Sequence, residues 1–130
     1  MIMDHKLKLM VVDDSPLFRT WLIRSLSEDD RFQVVGYAVN ALDAQEKIPL
    51  LQPDMLTLDI EMPGMSGIDF LKQLLPVHPI PVILVSSLNL RVFDALEAGA
   101  VDFVRKPDEA NGLSKEIFLS MLRSKLLVAA

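Results

Sequence analysis

Short runs of β-branched and aliphatic residues alternate along the chain with stretches whose apolar positions return every three or four residues. LKLMVV (7–12), FQVVGYAV (32–39), MLTL (55–58), PVILVS (81–86) and VDFV (101–104) predict five strands. Three of them are nearly unbroken apolar runs, the pattern of a parallel sheet covered on both faces. Between the strands the spacing predicts helices. SPLFRTWLIRSLSE opens with Ser15 as N-cap and Pro16 at the first helical position, and sets Phe18, Leu22 and Leu26 on one face. ALDAQEKI aligns Ala41, Ala44 and Ile48, then meets Pro49, which is expected to end or kink the helix early. GIDFLKQLL places Ile68, Leu71 and Leu75 on a stripe, and LRVFDALEAG ends on Gly99, a common helix C-terminal residue. A last helix over roughly 113–127 carries Leu113, Ile117 and Met121 beside Phe118, Leu122 and Leu126.

Five βα units predict a single α/β domain with a doubly wound parallel sheet, because right-handed crossovers leave few other topologies. At 130 residues, 51% of them apolar, the chain can bury a core without disulfides, and it has no cysteine to form one. No apolar run approaches the roughly 18 residues of a membrane span. The opening MIMDHKLKLMVVDD has only a brief apolar run ending in two acids, so neither a signal peptide nor membrane insertion is expected. A formal charge of −5 and the lack of a basic block argue against direct nucleic-acid binding. The expectation is a soluble, cytoplasmic domain.

Ligands of doubly wound sheets bind beyond the carboxyl ends of the strands, near the topological switch point. The first strand delivers Asp13 and Asp14 there, the third Asp59, and the fourth Ser86 and Ser87; the fifth is followed by Arg105, Lys106 and Pro107. Crowded carboxylates raise one another's pKa. A hard divalent cation relieves them, and magnesium binds through one or two carboxylates plus water and phosphate oxygens. Beside such a metal Asp59 can attack phosphorus and form an aspartyl-phosphate. Lys106 and the metal would offset the phosphoryl charge, and Ser86 can donate a hydrogen bond to a phosphoryl oxygen.

VVDDSPLFR, LTLDIEMPGMSG, VILVSS and AGAVDFVRKP, at these spacings, resemble the response-regulator receiver domains of two-component signalling. They match, in turn, that family's acidic pair and first helix, phosphoacceptor strand and loop, hydroxyl segment and lysine-proline segment. The resemblance covers almost the whole chain. It implies a flavodoxin-like (CheY-like) five-stranded sheet of order 2-1-3-4-5 with helices on both faces. It also implies that Asp59 is the phosphoacceptor and that Asp14 and the backbone carbonyl of Glu61 hold magnesium, with Asp13 and Asp59 at the same site. Ser86 would be the switch hydroxyl, Lys106 the phosphoryl-binding lysine and Phe103 the aromatic that changes rotamer on activation. A cis Lys106–Pro107 bond and a histidine kinase as phosphodonor are further implications.

LTLDIEMPGMSGIDFLKQL, PVILVSSL and ALEAGAVDFVRKP, with the doubled serine and Thr57, resemble more closely the receiver half of the chemotaxis protein-glutamate methylesterases (CheB-like). That resemblance implies a C-terminal esterase domain, joined by a linker and inhibited until the receiver is phosphorylated. Residues 1–130 are then expected to be one receiver domain with an ordered core of about 6–127, ending near the start of the linker. The alternative is a free-standing or differently attached receiver that acts only through binding. Three features depart from the family pattern: SSLNLRVFDALEAGA is several residues short, Ser66 stands where aspartate is common, and Pro49 lies in the second helix.

Rival chemistries find less support. GMSGI (64–68) falls short of the nucleophile elbow G-x-S-x-G, since Ile68 takes the place of the second glycine and no strand leads into Ser66. A metal-dependent phosphatase using an aspartyl-phosphate calls for a second acid two residues beyond its first-strand nucleophile, where Ser15 follows Asp13. Neither a phosphate-cradling glycine loop nor a P-loop lysine is present. Trp21 is expected to pack or lie partly exposed on the first helix, SEDDR (27–31) to be a solvated turn, and neither His5 nor His78 to take part in chemistry.

Overall fold

Strands β1 (Leu7–Val12), β2 (Phe32–Ala38), β3 (Met55–Leu58), β4 (Val82–Ser86) and β5 (Asp102–Arg105) alternate with helices α1 (Pro16–Ser27), α2 (Ala41–Leu51), α3 (Gly67–Leu74), α4 (Arg91–Glu97) and α5 (Lys115–Ala129). The structure, a computed structural model, describes residues 6–87, 91–108, 110 and 112–130. His5 and residues 88–90 of the shortened segment lie outside the described residues. All pairings in the five-stranded sheet are parallel, in the order β2-β1-β3-β4-β5. The chain winds outward from β1 to β2, then returns to build the other half from β3, so the switch point lies between β1 and β3.

Strand periodicity of two sorts the core into two layers. Met10, Val12, Leu56, Leu58, Val82 and Leu84 point to the side covered by α2, α3 and α4, where Ala44, Ile48, Phe70, Leu71, Val92 and Ala95 meet them. Leu9, Val11, Met55, Ile83, Val85 and Val104 point to the opposite side, against Leu22 and Leu26 of α1 and Phe118, Leu122 and Leu126 of α5. Trp21 packs at the edge of this second layer.

Several local expectations are corrected. The second helix does not stop at Pro49: α2 runs to Leu51 and closes through the Gln52 N–H, which donates to the Ile48 carbonyl at 2.9 Å. The proline removes one hydrogen bond near the C-terminus, and burial of Ile48 with Leu51 packed on the core holds the last turn. The fifth helix begins at Lys115 behind the Ser114 cap, whose hydroxyl accepts from the Ile117 N–H. Leu113 is instead bridged to Asp108, and Ile117 and Met121 are exposed. In α3 the buried face is Phe70, Leu71 and Leu74, with Ile68 and Leu75 only partly covered. Ser15 occupies the N-cap of α1, but its side chain makes no capping bond.

The SEDDR turn is not simply solvated. Asp29 accepts a forked pair of hydrogen bonds from Arg31, at 2.9 and 2.6 Å, and lies 3.6 Å from Arg123 of α5. The Arg31 fork, which outweighs the partial burial, holds the Asp29 carboxyl down at about 2.

Gly99 ends α4 as the sequence suggests. It has φ +117°, its N–H donates to the Leu96 carbonyl, and the Ala100 N–H donates to the Ala95 carbonyl, the two bonds of a Schellman motif. A Cβ there would come within 2.5 Å of Leu75 Cδ1. Among the described residues no helix is long and apolar enough to cross a membrane.

Candidate functional site

The register Val12↔Leu58 sets the ends of β1 and β3 level, and the Asp59 N–H donates to the Val12 carbonyl at 3.0 Å. Asp13 and Asp59 therefore leave the sheet side by side, both buried, at 2% and 5% exposure. Asp14, one residue further, is exposed. One carboxylate oxygen from each of the three lies within 4.8 Å of the others. On the other flank of β3, the Lys106 N–H donates to the Ser86 carbonyl at 3.0 Å, which starts the β5–α5 connection beside the end of β4.

The two oxygens of Asp59 are held differently. Oδ1 accepts from the Ser86 hydroxyl and from the Glu61 N–H, both at 3.0 Å. Oδ2 accepts from Lys106 Nζ at 3.0 Å. The same ammonium lies 2.9 Å from Asp13 Oδ2, while Asp13 Oδ1 accepts from the Ser15 N–H at 2.8 Å. Burial pushes the Asp13 carboxyl up. The Ser15 N–H and Lys106 offset part of that rise, and the charge of Asp59 adds to it least. For Lys106 burial pulls the ammonium down, but the Asp13 and Asp59 carboxylates outweigh it and hold the group above its ordinary value. Carboxylate crowding is thus a smaller cause than desolvation at Asp13, and Lys106 is shared between the two buried acids.

Asp13, Asp14, Asp59, Ser86 and Lys106 come together, and Glu61 is drawn to them by its backbone. Phe103 stands apart. It lies on β5 opposite Leu84, partly buried against the α2–α4 layer. The Lys106–Pro107 bond differs from the expectation: no cis peptide occurs among the described residues. The trans amide is intrinsically favoured by about 0.5–1 kcal/mol, and Lys106 reaches both carboxylates with it. Ser66 caps α3, its hydroxyl accepting from the Asp69 N–H at 3.2 Å.

Two neighbours of the site were not singled out from the sequence for this position. Arg19 donates to the Asp13 backbone carbonyl at 2.9 Å and lies 4.6 Å from the Tyr37 ring centroid. A cation in the first turns of a helix opposes the macrodipole, and no acid shares the first turn of α1; that mismatch is a usable signal. Phe18, which reads as an ordinary core position, places its ring 4.6 Å from Lys106 Nζ.

Known proteins share the fold and much of the sequence. Residues 9–118 match the family profile of the response regulator receiver domain. A protein-glutamate methylesterase/protein-glutamine glutaminase from Syntrophomonas wolfei is 47% identical over 126 residues, which cover 97% of this chain and 37% of that protein. The chain thus spans little more than a third of that relative's length. The response regulator domain of Thermotoga maritima CheB superposes with a TM-score of 0.84 at 37% identity, covering 96% of each chain. A chain from the complex of the P1 domain of CheA3 with CheY6 of R. sphaeroides gives 0.76 at 28% identity, covering 94% of this chain and 95% of that one.

Proposed function

The chain belongs to the response regulator receiver domain family, and on that premise we propose that Asp59 takes a phosphoryl group from a phosphohistidine and that the resulting change in packing is the signal. One observation carries the reading: both oxygens of Asp59 are already met by the donors that a phosphoryl group would need, Ser86 on Oδ1 and Lys106 on Oδ2. An oxygen of Asp59 forms the new P–O bond, the P–N bond of the donor breaks, and its electron pair leaves on the imidazole nitrogen. Ser86 and Lys106 then shift from the carboxylate to the phosphoryl oxygens.

The donor set fits a hard divalent cation. It is all oxygen, its three carboxylate atoms lie within 4.8 Å of one another, and Lys106 alone leaves two formal negative charges unmatched. Asp13, Asp14 and Asp59 would hold magnesium, with the Glu61 carbonyl as a further ligand. When bound, it neutralises charge on the phosphoryl oxygens.

The switch follows from packing. Ser86, fully buried and already bonded to Asp59 Oδ1, passes from the carboxylate to a phosphoryl oxygen, and Phe103 turns from its partly exposed position into the space that this frees beside β5. The surface of α4, β5 and α5 changes with it. Similarity to methylesterases supports an output of the same kind: the receiver restrains a C-terminal protein-glutamate methylesterase domain until phosphorylated. The neighbour crystallised with the P1 domain of CheA3 supports a histidine kinase as donor, which would place the exchange in the cytoplasm.

Transfer from a labelled phosphohistidine domain tests the reading. The expected product is a hydroxylamine-labile phosphoprotein that does not form with Asp59→Asn. Label that persists in Asp59→Asn, or none in the wild type, would overturn it.

A further inference from the structure

Lys106 is confined on a third side by a group without charge. Its ammonium lies 2.9 Å from Asp13 and 3.0 Å from Asp59, and the Phe18 ring centroid is 4.6 Å away. A lysine within about 6 Å of a ring face is drawn to the π-cloud. That ring is itself fixed. Its centroid is 5.7 Å from Trp21 at 43° and 5.9 Å from Phe118 at 64°, and Trp21 lies 6.0 Å from Phe118. These tilted and edge-on arrangements are the favoured ones for aromatic pairs. Phe18 therefore presents one surface to the site and is braced behind by α1 and α5.

The position matters because a lysine stem is flexible and its ammonium a point charge without directional preference. Two carboxylates alone locate Nζ only while both are charged. Once an Asp59 oxygen joins phosphorus as an acyl phosphate, that oxygen ceases to be a full anion, and of the two carboxylates Asp13 still holds the ammonium. The ring does not change in the exchange.

We propose that Phe18 is a positioning residue for Lys106, keeping the ammonium at the rim of the site as it passes from Asp59 Oδ2 to a phosphoryl oxygen. The role rests on the reading of Asp59 as phosphoacceptor. Phe18 forms no bond to the reacting atoms and acts only through Lys106. Leucine would retain the bulk against Trp21 and Phe118 without the π-face; tyrosine would retain both.

The test compares Phe18→Leu and Phe18→Tyr, each checked for folding by thermal melt, in magnesium with a small-molecule phosphodonor and intact mass as readout. Phe18→Leu is expected to slow phosphoryl gain by about three- to tenfold, with Phe18→Tyr rescuing the rate. In a Lys106→Met background Phe18→Leu is expected to have no further effect. By NMR, the ε-methylene protons of Lys106 should show an upfield ring-current shift in the wild type and Phe18→Tyr that disappears in Phe18→Leu. A wild type that gains no phosphoryl group overturns the phosphoacceptor reading, and the role of Phe18 with it. A phosphorylated wild type with equal rates in the leucine and tyrosine variants, or an undiminished effect on Lys106→Met, overturns the role of Phe18 alone.

Discussion

Replacing Lys106 by methionine isolates the electrostatics of the site. The substitution keeps an apolar stem of similar length beside Phe18 and removes an ammonium that touches both Asp13 and Asp59, at 2.9 and 3.0 Å. Deleting one partner of a buried ion pair costs about 3–5 kcal/mol, since the remaining charge is left uncompensated. The Lys106 side chain retains 19% exposure and Asp14 is exposed, so water reaches the rim and the lower figure of ~3 kcal/mol applies. In a domain of this size each kcal/mol is worth roughly 3–5 °C, so Tm should fall by about 10 °C at neutral pH without magnesium. The effect of magnesium runs the other way, because the cation no longer meets a fixed positive charge. Ligand stabilisation is about 2.7 kcal/mol at a hundredfold excess over Kd, and at equal magnesium the rise in Tm should be larger in the variant than in the wild type. Circular-dichroism melts with and without magnesium measure both effects. An unchanged Tm in the metal-free variant, or an equal magnesium shift in the two proteins, would refute the assignment of Lys106 as the counter-charge of this cluster.

Ser86→Ala removes a fully buried donor to Asp59, a hydrogen bond to a charged group worth about 1.5–3 kcal/mol. It should still be phosphorylated, but with NMR shifts at Phe103 reduced several-fold relative to the wild type; a full Phe103 response would refute the coupling. Gly99→Ala meets both a φ of +117° and the Leu75 side chain, and should lose about 1–3 kcal/mol in urea unfolding. Gly112→Ala, at φ +77° with nothing within 4 Å, should lose less, and equal losses would contradict the packing argument. The Asp29 carboxyl is held at about 2 against an ordinary 3.8. Its contribution is therefore complete above the ordinary value and lost as pH falls from about 4 to 2. Screening at the half-exposed Arg31 limits it to the order of 1 kcal/mol. The stability gap between the wild type and Asp29→Asn should close over that window, and a gap that persists at pH 2 would refute the pairing.

The fold and the centre of the site were legible in the sequence for a common reason. Parallel strands covered on both faces are written as nearly unbroken apolar runs, so LKLMVV and PVILVS announce themselves, and the polar residues that follow each run fall at one rim. What was not legible depends on tertiary packing. Pro49 argues for an early helix end, but Ile48 and Leu51 bury enough surface to carry α2 past it. Leu113 fits the helical stripe of α5, yet its backbone bonds reciprocally to Asp108. Asp29 looks like a solvated turn residue, yet Arg31 forks onto its carboxylate, and Arg123 of α5 lies 3.6 Å away. Phe18 satisfies the core periodicity of α1, and nothing in that periodicity says that one face of its ring meets Lys106. Packing and side-chain geometry in the folded chain decide these cases, and the spacing of apolar positions carries no information about them.

The most direct test of the central claim is intact mass after incubation with magnesium and a small-molecule phosphodonor, beside a chelator control and Asp59→Asn. The expected result is a gain of one phosphoryl group that requires both the metal and Asp59. No gain in folded protein with magnesium bound, or an equal gain in Asp59→Asn, would contradict it.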